Sequence, residues 1–186
     1  MLQSKTKVNV RALAEAAVLI AVAFALSYIK IELPQGGSFT PASSLPILLI
    51  GYRWGKGYGF IGAVAYSLLQ MLQGFYPPPS NTVLAFFLVV LLDYLLAFAA
   101  LGASSFFRNR KNGLLLAVPV CLLARFLCHF ISGMLIWGSY AWEGFPVWLY
   151  SFLYNGSYMS AELALTFAGA LLISRIPTLQ KGISPR

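Results

Sequence analysis

Six apolar runs, separated by connectors rich in helix breakers, decide what this chain can fold into. They cover roughly 10–30, 43–54, 57–74, 82–105, 113–138 and 147–175. The connectors include Pro34-Gln35-Gly36-Gly37, Pro77-Pro78-Pro79-Ser80-Asn81 and Trp142-Glu143-Gly144-Phe145-Pro146. Hydrophobic residues make up 59% of the 186 positions and charged residues only 10%, where a soluble domain carries about 25% charged. No single core in water hides that much apolar surface, whereas a bilayer replaces water as the solvent. The expectation is an all-α integral membrane protein, one membrane domain over residues 1–186, built as a bundle of six transmembrane helices.

The basic residues orient the bundle. Lys5, Lys7 and Arg11, then Arg53 and Lys56, then Arg108, Arg110 and Lys111, then Arg175, Lys181 and Arg186 all fall on one side if the helices alternate. The opposite connectors hold only Lys30, and Arg125 lies inside a run. The positive-inside rule then puts both termini in the cytoplasm, and a count of five or seven helices would spoil the alternation. The same scatter argues against nucleic acid as the partner of a chain with net charge +8, because no single face collects the positive residues. The first run follows a basic start, as in a signal peptide. From Ala12 to Ile29 it is longer than a typical signal core, and more spans follow, so we read it as a first membrane helix. The second run is too short to cross ~30 Å of hydrocarbon unaided, unless it tilts or continues through Pro41–Ser44. In the third, Gly57, Gly59, Gly62, Ala63 and Ala65 form a small-residue surface suited to close helix packing.

Ionisable groups inside a bilayer are costly, so each needs a reason. Asp93, Arg125, His129 and Glu162 lie well within runs, and Glu15 lies nearer an edge. Asp93, followed by Tyr94, is open to two readings: a salt bridge to Arg125, or a counter-charge for a cationic ligand. Arg125 and His129 are four apart and share a helix face, with Trp137 eight beyond His129 on about the same face. Tyr150 and Asn155 stand near the start of the sixth run. Polar groups at Asp93, His129, Tyr150 and Asn155, with aromatics at Tyr76, Tyr94, Trp137, Tyr140 and Trp142, can converge on one half of a bundle. That pattern suits a flat cationic heteroaromatic, held by stacking and cation–π contact and balanced by a carboxylate. Cys121 and Cys128 are seven apart in one run, about two turns of helix, which is too far for a disulfide. We read them as buried thiols.

Several functions lack their motif. Gly51-Tyr52-Arg53-Trp54-Gly55-Lys56-Gly57 is one residue short of a phosphate-binding loop and lacks its Ser/Thr, so the chain carries no ATPase signature of its own. No zinc-protease motif or Cys/His metal cluster occurs, and we expect no cofactor. A hydrolase built from Ser157 and His129 has no supporting Gly-x-Ser-Gly motif. A standalone transporter with Asp93, His129 and Glu162 as a proton path is the principal rival to a binding subunit.

The segment Pro34-Gln35-Gly36-Gly37-Ser38-Phe39-Thr40-Pro41-Ala42-Ser43-Ser44-Leu45-Pro46 resembles the first extracellular loop of the thiamine-specific S-components of energy-coupling-factor transporters. So do His129-Phe130-Ile131-Ser132-Gly133, Trp137, Tyr140-Ala141-Trp142, Tyr150-Ser151 and Tyr154-Asn155-Gly156, in the order and spacing of that family's fifth and sixth helices. The resemblance runs over nearly the whole chain. It implies six helices in a bacterial cell membrane and a high-affinity thiamine pocket near the outer surface; the loop around 34–44, Gly-rich and close to the outer face, reads as a lid on it. Uptake would need two ATP-binding cassette ATPases and a transmembrane coupling subunit. Position by position it implies that His129, Tyr150 and Asn155 line the pocket near the pyrimidine and that Trp137 stacks on the ligand. Asp93 and Tyr94 match a Glu-Tyr pair, with the charge retracted by one methylene. A tryptophan that some members carry in the first loop has Phe39 as its candidate replacement. Ala17 and Ala21, with Ala14 and Ala25 extending the stripe, match the Ala-x-x-x-Ala surface that docks on the coupling subunit. A different vitamin within the same family is the alternative ligand.

Overall fold

The computed structural model describes residues 9–32 and 38–186. Lys5, Lys7 and the Pro34–Gly37 part of the first loop lie outside the described residues. Among the described residues the chain forms eight α-helices and one two-stranded antiparallel hairpin. Helix α1 (Val10–Leu26) starts at Asn9, whose side chain accepts from the Ala12 amide at 3.2 Å and so satisfies one of the free N–H groups of the first turn. Strands β1 (Ile31–Glu32) and β2 (Ser38–Phe39) pair Ile31 with Phe39 and Glu32 with Ser38. They lead into α2 (Ser44–Trp54), which Gly55 joins to α3 (Lys56–Gly74).

The short second run is neither extended through Pro41 nor covered by lipid. Helix α2 begins at Ser44 and is buried along nearly its whole length, with Ile47, Leu48 and Ile50 all at zero exposure. A helix apolar on every side belongs inside protein. It packs against α1, α3, α6 and α7. The small-residue surface of α3 explains how close α3 comes. A Cβ on Gly59 would stand 2.6 Å from the Cα of Gly51, so only glycine permits that approach. Gly62 and Ala63 face the same way and are buried, whereas Gly57 meets nothing.

The fourth run is one continuous helical stretch, Val83–Phe107, of changing pitch. Helix α4 (Val83–Val89) is capped by Thr82, which accepts from the Ala85 amide at 3.2 Å. A π-helix follows over Val90–Leu96, then α5 (Ala97–Gly102) and a 3₁₀ stretch, Ala103–Phe107. Helix α6 (Gly113–Leu135) and helix α7 (Val147–Arg175) pack along each other, and α8 (Pro177–Ile183) closes the described chain. Val83–Phe107, Gly113–Leu135 and Val147–Arg175 are long and apolar enough to cross a membrane. Large apolar side chains point outward on α3 too: Ile61 is 71% exposed and Leu72 84%. Such a surface suits lipid rather than water.

Polar groups at one end of the bundle tie its helices together. Glu15 accepts from Arg11 Nε at 2.9 Å, Arg53 Nε at 2.6 Å and Trp54 Nε1 at 3.0 Å. Arg53 also donates to the Ser184 carbonyl, and its own carbonyl accepts from the Arg186 amide, so the chain end is fastened to α2. Cys121 and Cys128 are free thiols.

Candidate functional site

Helix α6 and helix α7 come close together at Gly133, where a Cβ would fall 2.1 Å from the Ser151 hydroxyl oxygen. The Ser151 hydroxyl donates to the Phe130 carbonyl at 2.8 Å. Asn155 lies one turn further along α7. Its amide nitrogen donates to the Ser151 carbonyl at 2.9 Å and the His129 carbonyl at 3.3 Å, while its oxygen accepts from Tyr158 at 2.6 Å. The second lone pair of that oxygen remains an acceptor.

Across from this seam stands the π-helix. Its wider turn brings neighbours Asp93 and Tyr94 both to one cavity wall, and interruptions of this kind recur at functional sites. Asp93 is the centre of a three-donor cluster. One oxygen accepts from His129 Nδ1 at 3.1 Å, the other from Ser132 Oγ at 2.6 Å and Trp137 Nε1 at 3.1 Å. A carboxylate only accepts, so Nδ1 carries the proton in that bond. A neutral ring then presents Nε2 as an acceptor. Nε2 is buried and has no hydrogen-bond partner among the described residues.

Of the two readings of Asp93, the salt bridge to Arg125 does not form among the described residues. Arg125 donates to Glu162 at 2.7 Å and to Ser44 Oγ at 3.0 Å. Glu162 sits on the Arg125 side, so Asp93, His129 and Glu162 do not form one hydrogen-bonded line. The placement of Trp137 also has a different cause from helical register. Helix α6 stops at Leu135, and the chain turns through Ile136 before Trp137 reaches back to Asp93. Ser157 is exposed and donates to the Tyr154 carbonyl, away from His129.

Asp93, Tyr94, His129, Trp137, Tyr150, Asn155 and Tyr76 all line one cavity of about 210 Å³. The Tyr94 hydroxyl donates to the Gly74 carbonyl at 3.2 Å and accepts from the Tyr76 amide at 3.0 Å, which fixes the segment carrying Tyr76. Tyr76 leans on Trp137 with ring centroids 5.5 Å apart, and Trp137 stacks on Tyr140 at 5.9 Å. On α7 a ladder of Tyr150, Tyr154 and Tyr158, spaced by four, forms the facing wall. Of the expected aromatics, Trp142 does not reach the cavity and packs edge-on against Tyr150 at 5.2 Å. Sequence reasoning missed Ser132, Tyr154 and Tyr158 as site residues. Each had a signal: Ser132 is three after His129, and the tyrosines continue the helical spacing from Tyr150. Phe39 is half-buried and packs on the main core, and the cavity lining takes Ser38 from that strand instead. Ala17 and Ala21 are exposed on α1, with Ala14 and Ala25, while Ala12, Ala16 and Ala23 face inward.

Residues 13–180 match the family model described as thiamine transporter protein (Thia_YuaJ). The chain belongs to the thiamine transporter family. Within it, the chain is 35% identical over 198 residues to the thiamine transporter ThiT of Bacillus subtilis (strain 168), covering 97% of this chain and 98% of that protein. It is 30% identical over 181 residues to ThiT of Lacticaseibacillus paracasei, covering 85% of each. The fold matches the solved structure of ThiT from Listeria monocytogenes with a TM-score of 0.76 at 22% identity, over 94% of this chain and 98% of that one. This member of the family is thus a multi-pass membrane transport protein and not an enzyme.

Proposed function

We propose that the chain is the high-affinity thiamine-capturing subunit of an energy-coupling-factor importer in the bacterial plasma membrane. The observation that carries this reading is the cavity in which Asp93 meets three aromatic-flanked donors. Thiamine is a flat cation with an aminopyrimidine and a thiazolium ring. Asp93 balances the thiazolium charge, and Trp137 with the tyrosine walls stacks on its faces. The free acceptor on His129 Nε2 and the remaining acceptor on Asn155 suit the amino group of the pyrimidine. Tyr150 closes the polar end, and Tyr94 holds Tyr76 against Trp137. Thiamine transporters as relatives over nearly the full length support this choice of vitamin.

In this reading the chain crosses the membrane six times with both termini in the cytoplasm, and the cavity opens outward. The alternating basic connectors support that orientation. Two ATP-binding cassette ATPases and a transmembrane coupling subunit supply the energy. The exposed alanines at 17 and 21 form the surface against that subunit, because small residues let helix backbones approach closely. The purified chain is expected to bind thiamine and quench the fluorescence of Trp137. No quenching at micromolar thiamine refutes the reading.

A further inference from the structure

With His129 as a neutral ring donating from Nδ1 to Asp93, the formally charged residues that line the cavity are Asp93 and Arg125, and their charges are opposite. Left to themselves they would make the cavity electrically balanced, and a cationic ligand would gain nothing from the wall as a whole. A third charge changes this. Glu162 does not line the cavity. It is 1% exposed and lies behind Arg125, where its Oε1 accepts from Nη1 at 2.7 Å. The Ser44 hydroxyl donates to the same carboxylate oxygen and accepts from Nη1 at 3.0 Å, which locks the pair to the start of α2. The guanidinium also lies 4.4 Å over the Phe98 ring, and its Nε makes no hydrogen bond among the described residues.

Stability alone is a weak reason to keep such a pair, because buried ion pairs are often no better than apolar residues of the same volume. Its effect on the cavity is larger. Arginine stays charged in every environment a protein offers, so without a counter-ion Arg125 would oppose a cation across a space this small. We propose that Glu162 is a specificity-determining residue. By neutralising Arg125 it leaves Asp93 as the net charge of the cavity, and so selects a cationic heteroaromatic over an uncharged one. This rests on the thiamine reading and adds the residue that enforces charge selection without touching the ligand.

The test uses the full-length detergent-solubilised chain and two ligands: thiamine, and an isostere in which an uncharged thiophene replaces the thiazolium. Glu162→Gln is expected to weaken thiamine by on the order of tenfold or more, while the isostere stays within about threefold of wild type. The double variant R125Q/E162Q keeps the cavity's net charge, so its thiamine-to-isostere preference is expected within about threefold of wild type. If E162Q does not fold, R125Q decides: it leaves the Glu162 charge uncompensated, so the thiamine-to-isostere preference is expected to rise by on the order of tenfold, and an unchanged preference overturns the proposal. Equal losses for both ligands in E162Q, or a double variant without cation preference, overturn the proposal and leave thiamine capture standing. A wild type that binds neither ligand overturns the thiamine reading itself.

Discussion

Replacing Asp93 with Asn changes the cavity twice, and the two effects add. The carboxylate is 16% exposed and accepts from His129, Ser132 and Trp137. An amide offers one acceptor and one donor end, and Trp137 Nε1 can only donate. The amide oxygen therefore stays toward Trp137 and Ser132, and its NH₂ faces His129 Nδ1. The imidazole must then accept at Nδ1, which moves its proton to Nε2 and turns the free acceptor into a donor. Loss of a unit charge about 5–7 Å from a cation, at an effective dielectric of about 20, costs roughly 2–3 kcal/mol. The mismatched hydrogen bond to the aminopyrimidine adds about 1 kcal/mol. Together these weaken thiamine by roughly two to three orders of magnitude. The uncharged isostere loses only the second part, about fivefold to tenfold. Asp93→Glu, which keeps the charge, should lose less than about tenfold. Calorimetric titration of the three proteins reads all of this directly. Thiamine affinity in Asp93→Asn within threefold of wild type would show that the carboxylate does not face the ligand.

Two other perturbations probe separate parts of the molecule. Gly133→Ala puts a methyl group 2.1 Å from Ser151 Oγ and 3.1 Å from Asn155 Nδ2. It should push α7 from α6, costing about 1–3 kcal/mol of stability; a lower unfolding temperature together with weaker thiamine binding checks it. Ala17→Trp with Ala21→Trp should leave thiamine binding by the isolated chain unchanged and abolish uptake in cells that hold the coupling module, measured with labelled thiamine.

Much of the helical architecture is legible because hydropathy and breakers act locally. The run at 147–175 coincides with α7, Val147–Arg175, and the run at 57–74 differs from α3 by one residue at its start. What escapes is set by contacts between distant residues. Nothing in Val90–Leu96 marks a π-helix: it holds no proline or glycine, and the helices packed against it, α3 and α6, come from distant parts of the chain. The partner of Arg125 is undecidable from spacing, since Asp93 and Glu162 are both carboxylates in apolar runs and only the fold chooses between them. The seven candidate residues that line the cavity are recognisable because polar and aromatic side chains stand where lipid or core would ask for neither, and because their order resembles a known family. Ser132 escapes attention because a single hydroxyl in a membrane helix usually bonds its own backbone, whereas here it serves Asp93.

The interior position of α2 has a consequence for how the protein is made. Eleven residues rise only about 16 Å, roughly half the hydrocarbon thickness. Such a segment gains too little by partitioning to leave the translocation machinery alone, and in lipid its ends would bare unpaired carbonyl and amide groups. Its place is secured instead through α3, to which the tight turn at Gly55 (φ 87°) joins it, with Arg53 buried against Glu15 and Lys56 exposed at the same end. A residue other than glycine at position 55 would strain that turn and so impair biogenesis before any vitamin is bound.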